Sequence, residues 1–238
     1  MVTSPLKVAI ATPTISRPLP AYIAALEASV PVVEASGYEL KTVYEIGNPY
    51  ISGARATLLR KCLDWPADVI VFIDHDMAWR PEDLLTLIQT EGEVVAGLYR
   101  FKKDDEEYMG AWESDPANGH RPIIRPDGNL VGHRIPAGFM KITKEGVERF
   151  MRAYPELVYG PTYHPSVDLF NHGAIEGVWY GEDYAFSKRW RDCGGEIVVI
   201  PELQLDHHSA DAVFPGNLHE FLMRQAGGVN DPMRLAAE

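Results

Sequence analysis

The chain has 238 residues, 46% of them hydrophobic and 24% charged, which is the composition of a folded protein with one α/β domain rather than of a disordered one. Its 34 acidic and 22 basic residues give a net charge of −12. This charge disfavours broad binding to nucleic acid or anionic membrane, because neutralising phosphates needs clustered Lys and Arg. With no apolar run of membrane-spanning length and no signal-like start, we expect a cytoplasmic protein. Cys62 and Cys193 are expected to be reduced thiols.

The first hundred residues alternate between strand-like and helix-like patterns. Apolar or alternating runs predict strands, and helical spacing with stop signals predicts helices. The predicted strands cover 7–11, 38–46, 69–73 and 93–98, with helices at 21–36, from Ser52 to Pro66 and from Pro81 onward. Ser52 is the expected N-cap of the second helix. The alternation predicts an open, mostly parallel twisted sheet with helices on both faces, where ligands bind at the carboxyl ends of strands.

The second half is less regular. Residues 104–129 and 154–179 show no clear period, and we interpret both as long loops, which are often functional in a compact domain. Between and after them, the sequence predicts a strand at 139–142, a helix at 144–153 capped by Thr143, a helix at 183–191, and strands at 197–200 and 204–207.

The strongest local signal is Asp74-His75-Asp76, directly after the apolar run 69–73. If the strand continued through His75, both carboxylates would project to one side, where they could face a divalent cation and phosphate oxygens. The plain alternative is a pair of turn-forming acids after a strand.

Further candidates follow in the second half. Glu182 and Asp183 start a helix, where acids cap backbone amides, and such a position also orients a carboxylate rigidly enough for a general base. His207 and His208 end a strand and point to opposite faces, so at most one is expected to bind a metal. Arg55 would be a solvated or paired charge, or near a diphosphate a fork of donors.

Together these motifs resemble those of GT-A glycosyltransferases. The shared features are the strand-end Asp-x-Asp, a Gly-Glu-Asp helix start, a Cys-Gly-Gly turn, and a Pro followed by His. They occur here at 74–76, 181–183, 193–195, Pro201 and His207, in the order found in family-2-like enzymes of bacterial and viral type. The Cys-Gly-Gly, Pro and His pattern is also similar to that of polypeptide N-acetylgalactosaminyltransferases. The resemblance covers about residues 7–208.

The resemblance implies a metal-dependent hexosyltransferase-type enzyme that uses a nucleotide-sugar donor, with UDP the first choice and Mn²⁺ or Mg²⁺ as cofactor. One domain would span 1–238, with a nucleotide-binding part at about 1–100, an acceptor and catalytic part at about 101–210 and a C-terminal tail at 211–238. The implied roles are metal binding by Asp74, Asp76 and His207; nucleotide binding by Thr12, Thr14, Glu45, Arg55 and Asp74; donor-sugar contact by Ala137, Gly138 and Glu182; and general-base catalysis by Asp183. An Asp at 183, where the retaining N-acetylgalactosaminyltransferases have Asn, favours inversion.

The acceptor is left open by the sequence. Trp179 and Tyr180 offer aromatic faces suited to stacking on a sugar or base, although core filling explains aromatic residues equally well. The acceptor could be a glycan, a lipid-linked sugar, a protein side chain or a modified base in DNA, the last disfavoured by the net charge.

Two other classes of function remain as alternatives. A nucleotidyltransferase would use a similar sheet and metal-bound carboxylates, but residues 12–18 after the first strand lack the glycines of a phosphate loop. A non-catalytic nucleotide- or sugar-binding module is the second alternative. A metal-dependent phosphoesterase would need more His and Asp at several strand ends.

Overall fold

A computed structural model describes residues 5–225 of the chain. Its helices are α1 (Pro20–Ala35), α2 (Ile51–Asp64), α3 (Pro81–Gln89), α4 (Lys144–Ala153), α5 (Glu182–Asp192) and α6 (Leu218–Gln225). Its strands are β1 (Leu6–Thr14), β2 (Tyr38–Ile46), β3 (Val69–Ile73), β4 (Met77–Trp79), β5 (Val94–Ala96), β6 (Ala111–Trp112), β7 (Ser114–Asp115), β8 (Arg121–Pro122), β9 (Leu130–Arg134), β10 (Phe139–Thr143), β11 (Val158–Tyr159), β12 (Ser166–Val167), β13 (Gly173–Ile175), β14 (Val178–Tyr180), β15 (Ile197–Val199), β16 (Gln204–His208) and β17 (Val213–Asn217).

The main sheet contains eight strands in the order β2-β1-β3-β10-β5-β15-β9-β6. β1 is parallel to both β2 and β3, and β15 is parallel to β5. β10 and β9 run against their neighbours, so the sheet is mostly parallel in direction but mixed in its pairings. The α/β class and mostly parallel sheet predicted from the sequence are therefore confirmed, with β10 as an antiparallel insertion.

Burial on both faces of the main sheet explains the apolar sequence of its central strand β3. All five residues of β3 are buried. Alternate residues face two separate apolar clusters: Ile70 and Phe72 pack in the cluster that contains Leu58 of α2, whereas Val71 and Ile73 pack in the cluster that contains Leu84 of α3. A strand covered in this way needs an uninterrupted apolar sequence, as this one has.

A smaller antiparallel sheet, in the order β17-β16-β4, lies beside the carboxyl end of β3. β4 follows β3 after a three-residue turn, and β16 pairs with it in a register that sets His207 opposite Met77. The chain therefore returns more than a hundred residues later to the point where β3 ends.

Local signals located most elements, but some expectations were wrong. Helix α2 begins at Ile51 with Tyr50 as its N-cap, so the expected cap at Ser52 is wrong and Ser52 lies inside the helix. The segment 104–129 is not structureless, because it carries short strands, one of which joins the main sheet. Of the expected tail at 211–238, the described part carries β17 and α6, and its remainder lies outside the described residues. No helix among residues 5–225 is long and apolar enough to cross a membrane.

Candidate active site

The turn Asp74–Asp76 opens onto a pocket of about 280 Å³ at the carboxyl ends of β1 and β3. The strand does not continue through His75, because β3 ends at Ile73 and the Met77 N–H donates to the Asp74 carbonyl over 3.1 Å. The expected strand-like alternation of the two carboxylates is therefore wrong. Both nevertheless line the pocket, whose walls are Pro13, Thr14, Ile15, Asn48, Pro49, Ile51, Arg55, Asp74, His75, Asp76 and Glu182.

Strand β16 brings His207 to Asp76. The His208 N–H donates to the Asp76 carbonyl over 2.8 Å, which ties β16 to the turn. His207 Nδ1 lies 2.8 Å from the Arg100 carbonyl, which can only accept, so the Nδ1 nitrogen carries the proton. Nε2, the other ring nitrogen, lies 3.7 Å from Asp76 Oδ2. Of the two adjacent histidines, His207 is the one whose ring faces a carboxylate.

Asp76 also forms an ion pair with Lys102, in the segment that follows β5. Burial opposes ionisation of this carboxyl group, but the contacts with His207 and Lys102 outweigh burial and hold the pKa of Asp76 well below its ordinary value. Asp76 is therefore ionised at every ordinary pH, with an ammonium group already beside it.

Arg55 reaches the same pocket from α2. Its side chain is buried, and Nη2 lies 2.9 Å from Asp74 Oδ1 and 3.8 Å from Glu182 Oε1. Burial alone would lower the pKa of Arg55, but the charges of Asp74 and Glu182 raise it, so the guanidinium stays charged. Within residues 5–225, its Nε and Nη1 donors have no hydrogen-bond partner. A buried guanidinium with free donors is costly unless something else binds them.

Asp183 lies in the first turn of α5, after the N-cap Gly181. Its Oδ1 accepts a hydrogen bond from the Tyr184 N–H over 2.8 Å. Burial, reinforced by the negative charge of Glu182 and opposed by Arg55, raises the pKa of Asp183 to about 6. A carboxylate with this pKa can accept a proton near neutral pH.

Gly138 packs directly against Asp74. The Gly138 carbonyl accepts from the Asp74 N–H over 3.0 Å, and the Gly138 N–H donates to Tyr99 Oη over 3.2 Å. A Cβ at this position would lie 2.7 Å from Asp74 Oδ2 and would also overlap the Tyr99 hydroxyl. The neighbouring Ala137 is buried in the core. The small-residue turn expected from the sequence thus lies beside the pocket, and only glycine fits there.

Some expected residues lie elsewhere. Thr12 is fully buried and shares a 2.5 Å hydrogen bond with Tyr22, and Glu45 pairs with Lys61 over 2.7 Å. Neither lines the pocket, whereas Thr14 does. Trp179 and Tyr180 line a different pocket, next to α5.

Sequence reasoning missed Lys102 and several wall residues of the pocket. Lys102 carries no motif, and its contact with Asp76 depends on the course of a loop. The signal for Asn48 and Ile51 was present, because they follow β2 where parallel strands end together at one edge of the sheet.

No cluster of three or more His, Cys, Asp or Glu side chains suited to holding a metal occurs in the part of the chain that the structure describes. Asp76 and His207 Nε2 supply one carboxylate and one imidazole, a pair that suits Mn²⁺. Such ions are often held by one or two protein ligands plus substrate phosphates and water. The donor pair thus fits a shared ion, whereas Asp74 is already engaged by Arg55.

No protein-family model matches this sequence, and no curated protein does. Among solved structures, A197 from STIV matches with a TM-score of 0.53 at 13% identity, over 89% of this chain and 94% of that one. Inositol-1-phosphate CTP transferase from T. maritima gives 0.45 at 11% identity, over 99% and 98%. A mutant of Drosophila β1,4-galactosyltransferase 7 in complex with manganese, UDP-Gal and xylobiose gives 0.43 at 12% identity, over 92% and 74%. The overall fold is thus shared with A197, in agreement with the expected α/β class, and at this identity the likeness concerns the fold alone.

Proposed function

We propose that this protein is a metal-dependent glycosyltransferase that moves a sugar from a nucleotide-sugar donor, with UDP the expected nucleotide, to an acceptor hydroxyl. The observation that carries this proposal is the convergence of three distant segments on one pocket. The turn after β3 contributes Asp74 and Asp76, the start of α5 contributes Glu182, and β16 brings His207 to Asp76. Carboxylates held close together repel one another and destabilise the fold, so their grouping supports a role in binding or catalysis.

The shape and chemistry of the pocket support binding of a nucleoside diphosphate. Pro13, Ile15 and Ile51 give it apolar walls suited to a flat base. Arg55 lines the same pocket with a guanidinium that stays charged, and a diphosphate oxygen beside it would gain a charge-assisted contact.

Three carboxylates in the lining would repel a free diphosphate, so a cation must offset that charge. Asp76 and His207 are the proposed protein ligands, with Asp74 held by Arg55 at the edge of the site. When bound there, a Mn²⁺ or Mg²⁺ ion would stabilise the negative charge that develops on the departing diphosphate. Glu182, next to Arg55, is the proposed hydrogen-bond partner for donor-sugar hydroxyls.

Asp183 is the proposed general base. Its carboxylate, with a pKa raised to about 6, can take the proton of the acceptor hydroxyl as that oxygen attacks the anomeric carbon. The bond from that carbon to the diphosphate breaks as the new bond forms, so a single base suffices and inversion follows. Gly138 leaves room for the side chains of Asp74 and Tyr99 beside the pocket.

The test is Asp183→Asn, with release of nucleoside diphosphate from a nucleotide sugar as the readout. General-base catalysis contributes about 10²–10⁴-fold, so turnover should fall by that factor while donor affinity stays within a few-fold of wild type. Wild-type turnover should rise with pH through about 6, as Asp183 loses its proton. Unchanged turnover in Asp183→Asn would contradict its role as general base, and donor binding without any turnover in wild type would indicate a non-catalytic binding module.

The stereochemistry is tested separately by proton NMR of the product formed from an α-linked donor. A β-linked product supports direct displacement with Asp183 as base. An α-linked product contradicts inversion, and release of pyrophosphate or a nucleoside monophosphate would instead indicate nucleotidyl transfer.

A further inference from the structure

A second pocket, of about 230 Å³, lies between β9, the β13–β14 hairpin and α5. We call it the α5 pocket and define it by Arg134, Trp179, Tyr180, Tyr184, Lys188 and Arg191. Tyr184, Lys188 and Arg191 recur at the spacing of one helical face, and the hairpin supplies the two aromatic residues. Asp183 directly precedes the first of these residues in the chain, and its side chain belongs to the lining of neither pocket.

The charge of the α5 pocket is opposite to that of the first pocket. Arg134, Lys188 and Arg191 line it, and no Asp or Glu of residues 5–225 does. This is unusual for a protein with a net charge of −12. The acids that pair with its cations lie outside the lining: Lys188 contacts Asp192 over 2.7 Å and Glu176 over 3.1 Å, and Arg191 contacts Glu113 over 3.5 Å.

Of the three cations in the α5 pocket, Arg134 is the one that can bind an acidic ligand. No carboxylate within residues 5–225 pairs with it, and its guanidinium lies 4.8 Å from the centre of the Tyr184 ring. That ring is itself fixed, because the Gly110 N–H donates to Tyr184 Oη over 3.1 Å. The stacked guanidinium is therefore positioned while its edge donors remain free. In addition, Arg191 Nε is buried without a hydrogen-bond partner.

The remaining wall is suited to a sugar ring. Trp179 is 72% exposed, although burying an indole normally contributes to folding, and it belongs to the lining. An exposed aromatic face beside hydrogen-bond donors is the arrangement that binds a ring with an apolar face and polar edges.

We infer that the α5 pocket binds the acceptor through an acidic group, a phosphate or a carboxylate carried by a saccharide. This inference rests on the proposed transferase function, since it takes the occupant of a pocket lined by Tyr184, the residue after Asp183, to be the acceptor. Arg134 would form a two-donor contact with the acid, and Trp179 would stack on the ring. Arg134, the cation of this pocket without an acidic partner among residues 5–225, matches one acidic group, whereas a nucleic acid would meet the repulsion of the acidic surface.

The experiment measures binding through the fluorescence of Trp179, with Trp179→Phe identifying its share of the signal. The probes are glucose 6-phosphate, glucuronic acid and uncharged glucose at constant ionic strength, without any nucleotide. Both acidic sugars should give saturable changes, with glucose about tenfold weaker or more. Arg134→Gln should weaken both acidic sugars by about tenfold, the loss expected for a charge-assisted contact. The matched control, Arg152→Gln, removes an exposed arginine from α4 and should bind as wild type does.

Several results would overturn the inference: equal binding of glucose and the acidic sugars, equal losses in the two arginine variants, or no saturable binding at all. A short oligonucleotide that binds more tightly than either acidic sugar would also overturn it in favour of nucleic acid. Binding of UDP with Mn²⁺ is measured on the same proteins. Its retention in Arg134→Gln shows that the variant is folded, and its absence in wild type would count against the proposed function rather than this pocket.

Discussion

Each carboxylate of the turn after β3 already has a cation beside it. Asp74 pairs with Arg55 from α2, and Asp76 pairs with Lys102 from the segment after β5. Because Asp76 is also the proposed ligand of the divalent ion, Lys102 and that ion would compete for one carboxylate. The side chain of Lys102 is one-third exposed, so it can move away without unfolding anything.

We therefore predict that Lys102→Met tightens Mn²⁺ binding, on the order of tenfold, because it removes a positive charge a few ångströms from the ion. Calorimetric titration with Mn²⁺ is the measurement. Lys103→Met is the control, since its neighbouring ammonium pairs with Glu107 instead. Weaker Mn²⁺ binding in the Lys102 variant would contradict the competition and indicate that this lysine holds the site together.

Asp183 should make the protein less stable when it is ionised. Its folded-state pKa of about 6 lies above the ordinary 3.8, so the folded protein binds this proton more tightly than the unfolded chain does. The charged form then costs on the order of 3 kcal/mol above pH 6, and the cost shrinks as the pH falls from 6 towards 3.8.

Asp183→Asn should consequently be more stable than wild type at pH 8, by up to that amount, and the difference should vanish near pH 4. Urea unfolding at pH 8, 6 and 4 measures it. Asp104→Asn, in an exposed loop, is the control and should stay within about 0.5 kcal/mol of wild type. A stability difference that grows on acidification would show that the sign of this pKa shift is wrong.

At the scale of single elements, the close approach of β3 and the start of β10 depends on Gly138. Its hydrogen bond to the Asp74 N–H fixes the turn, and its lack of a side chain leaves room for Asp74 and Tyr99. Alanine here would push both side chains away from the pocket.

Gly138→Ala should therefore destabilise the protein by about 1–3 kcal/mol, the usual cost of overpacking, and weaken nucleotide binding as well. Gly53→Ala, in α2, is the matched control, because its Cβ would meet only ordinary contacts at 3.7 Å. That variant should gain up to about 1 kcal/mol from helix propensity. Chemical unfolding and calorimetry with UDP and Mn²⁺ check both, and equal stability of the two variants would contradict the close-approach argument.

The elements that the sequence predicted well are those whose signals are local. β2 and β3 match their expected bounds, and α4 begins after Thr143, whose hydroxyl accepts the Gly146 N–H over 3.1 Å. β4 and β17 were missed because β4 has only three residues and β17 contains Pro215 and Gly216, so both become ordered by pairing with β16 rather than by their own sequence. The expected cap at Ser52 is wrong because α2 begins two residues earlier, with Tyr50 as its N-cap.

The residues of the candidate site also divide into those predicted from local motifs and those whose contacts depend on the folded chain. The sequence indicated Asp74, Asp76 and His207 through motif order, and the structure brings the latter two within 3.7 Å. The ion pair between Lys102 and Asp76 could not be predicted, because it depends on how a loop crosses the sheet edge. The buried environment that shifts the pKa of Asp183 is likewise a property of the assembled fold.

For the whole molecule, ligand binding should appear as thermal stabilisation that needs nucleotide and ion together. At 100 times its dissociation constant, a ligand adds about 2.7 kcal/mol, which corresponds to about 5–10 °C in Tm for a protein of this size. UDP with Mn²⁺ should produce this shift in a thermal scan, and excess chelator should abolish it. A full shift from UDP in chelator would contradict the shared-ion site.

Because β4 pairs with β16, the parts of the candidate site become available in a fixed order during synthesis. The walls of the first pocket come almost entirely from the first third of the chain, so the ribosome has released them long before β16 is made. His207 reaches Asp76 only after β16 has emerged and paired with β4. Until then a growing chain lacks one member of the proposed ion-binding pair, so the pairing of β16 with β4 is the step that completes the proposed site.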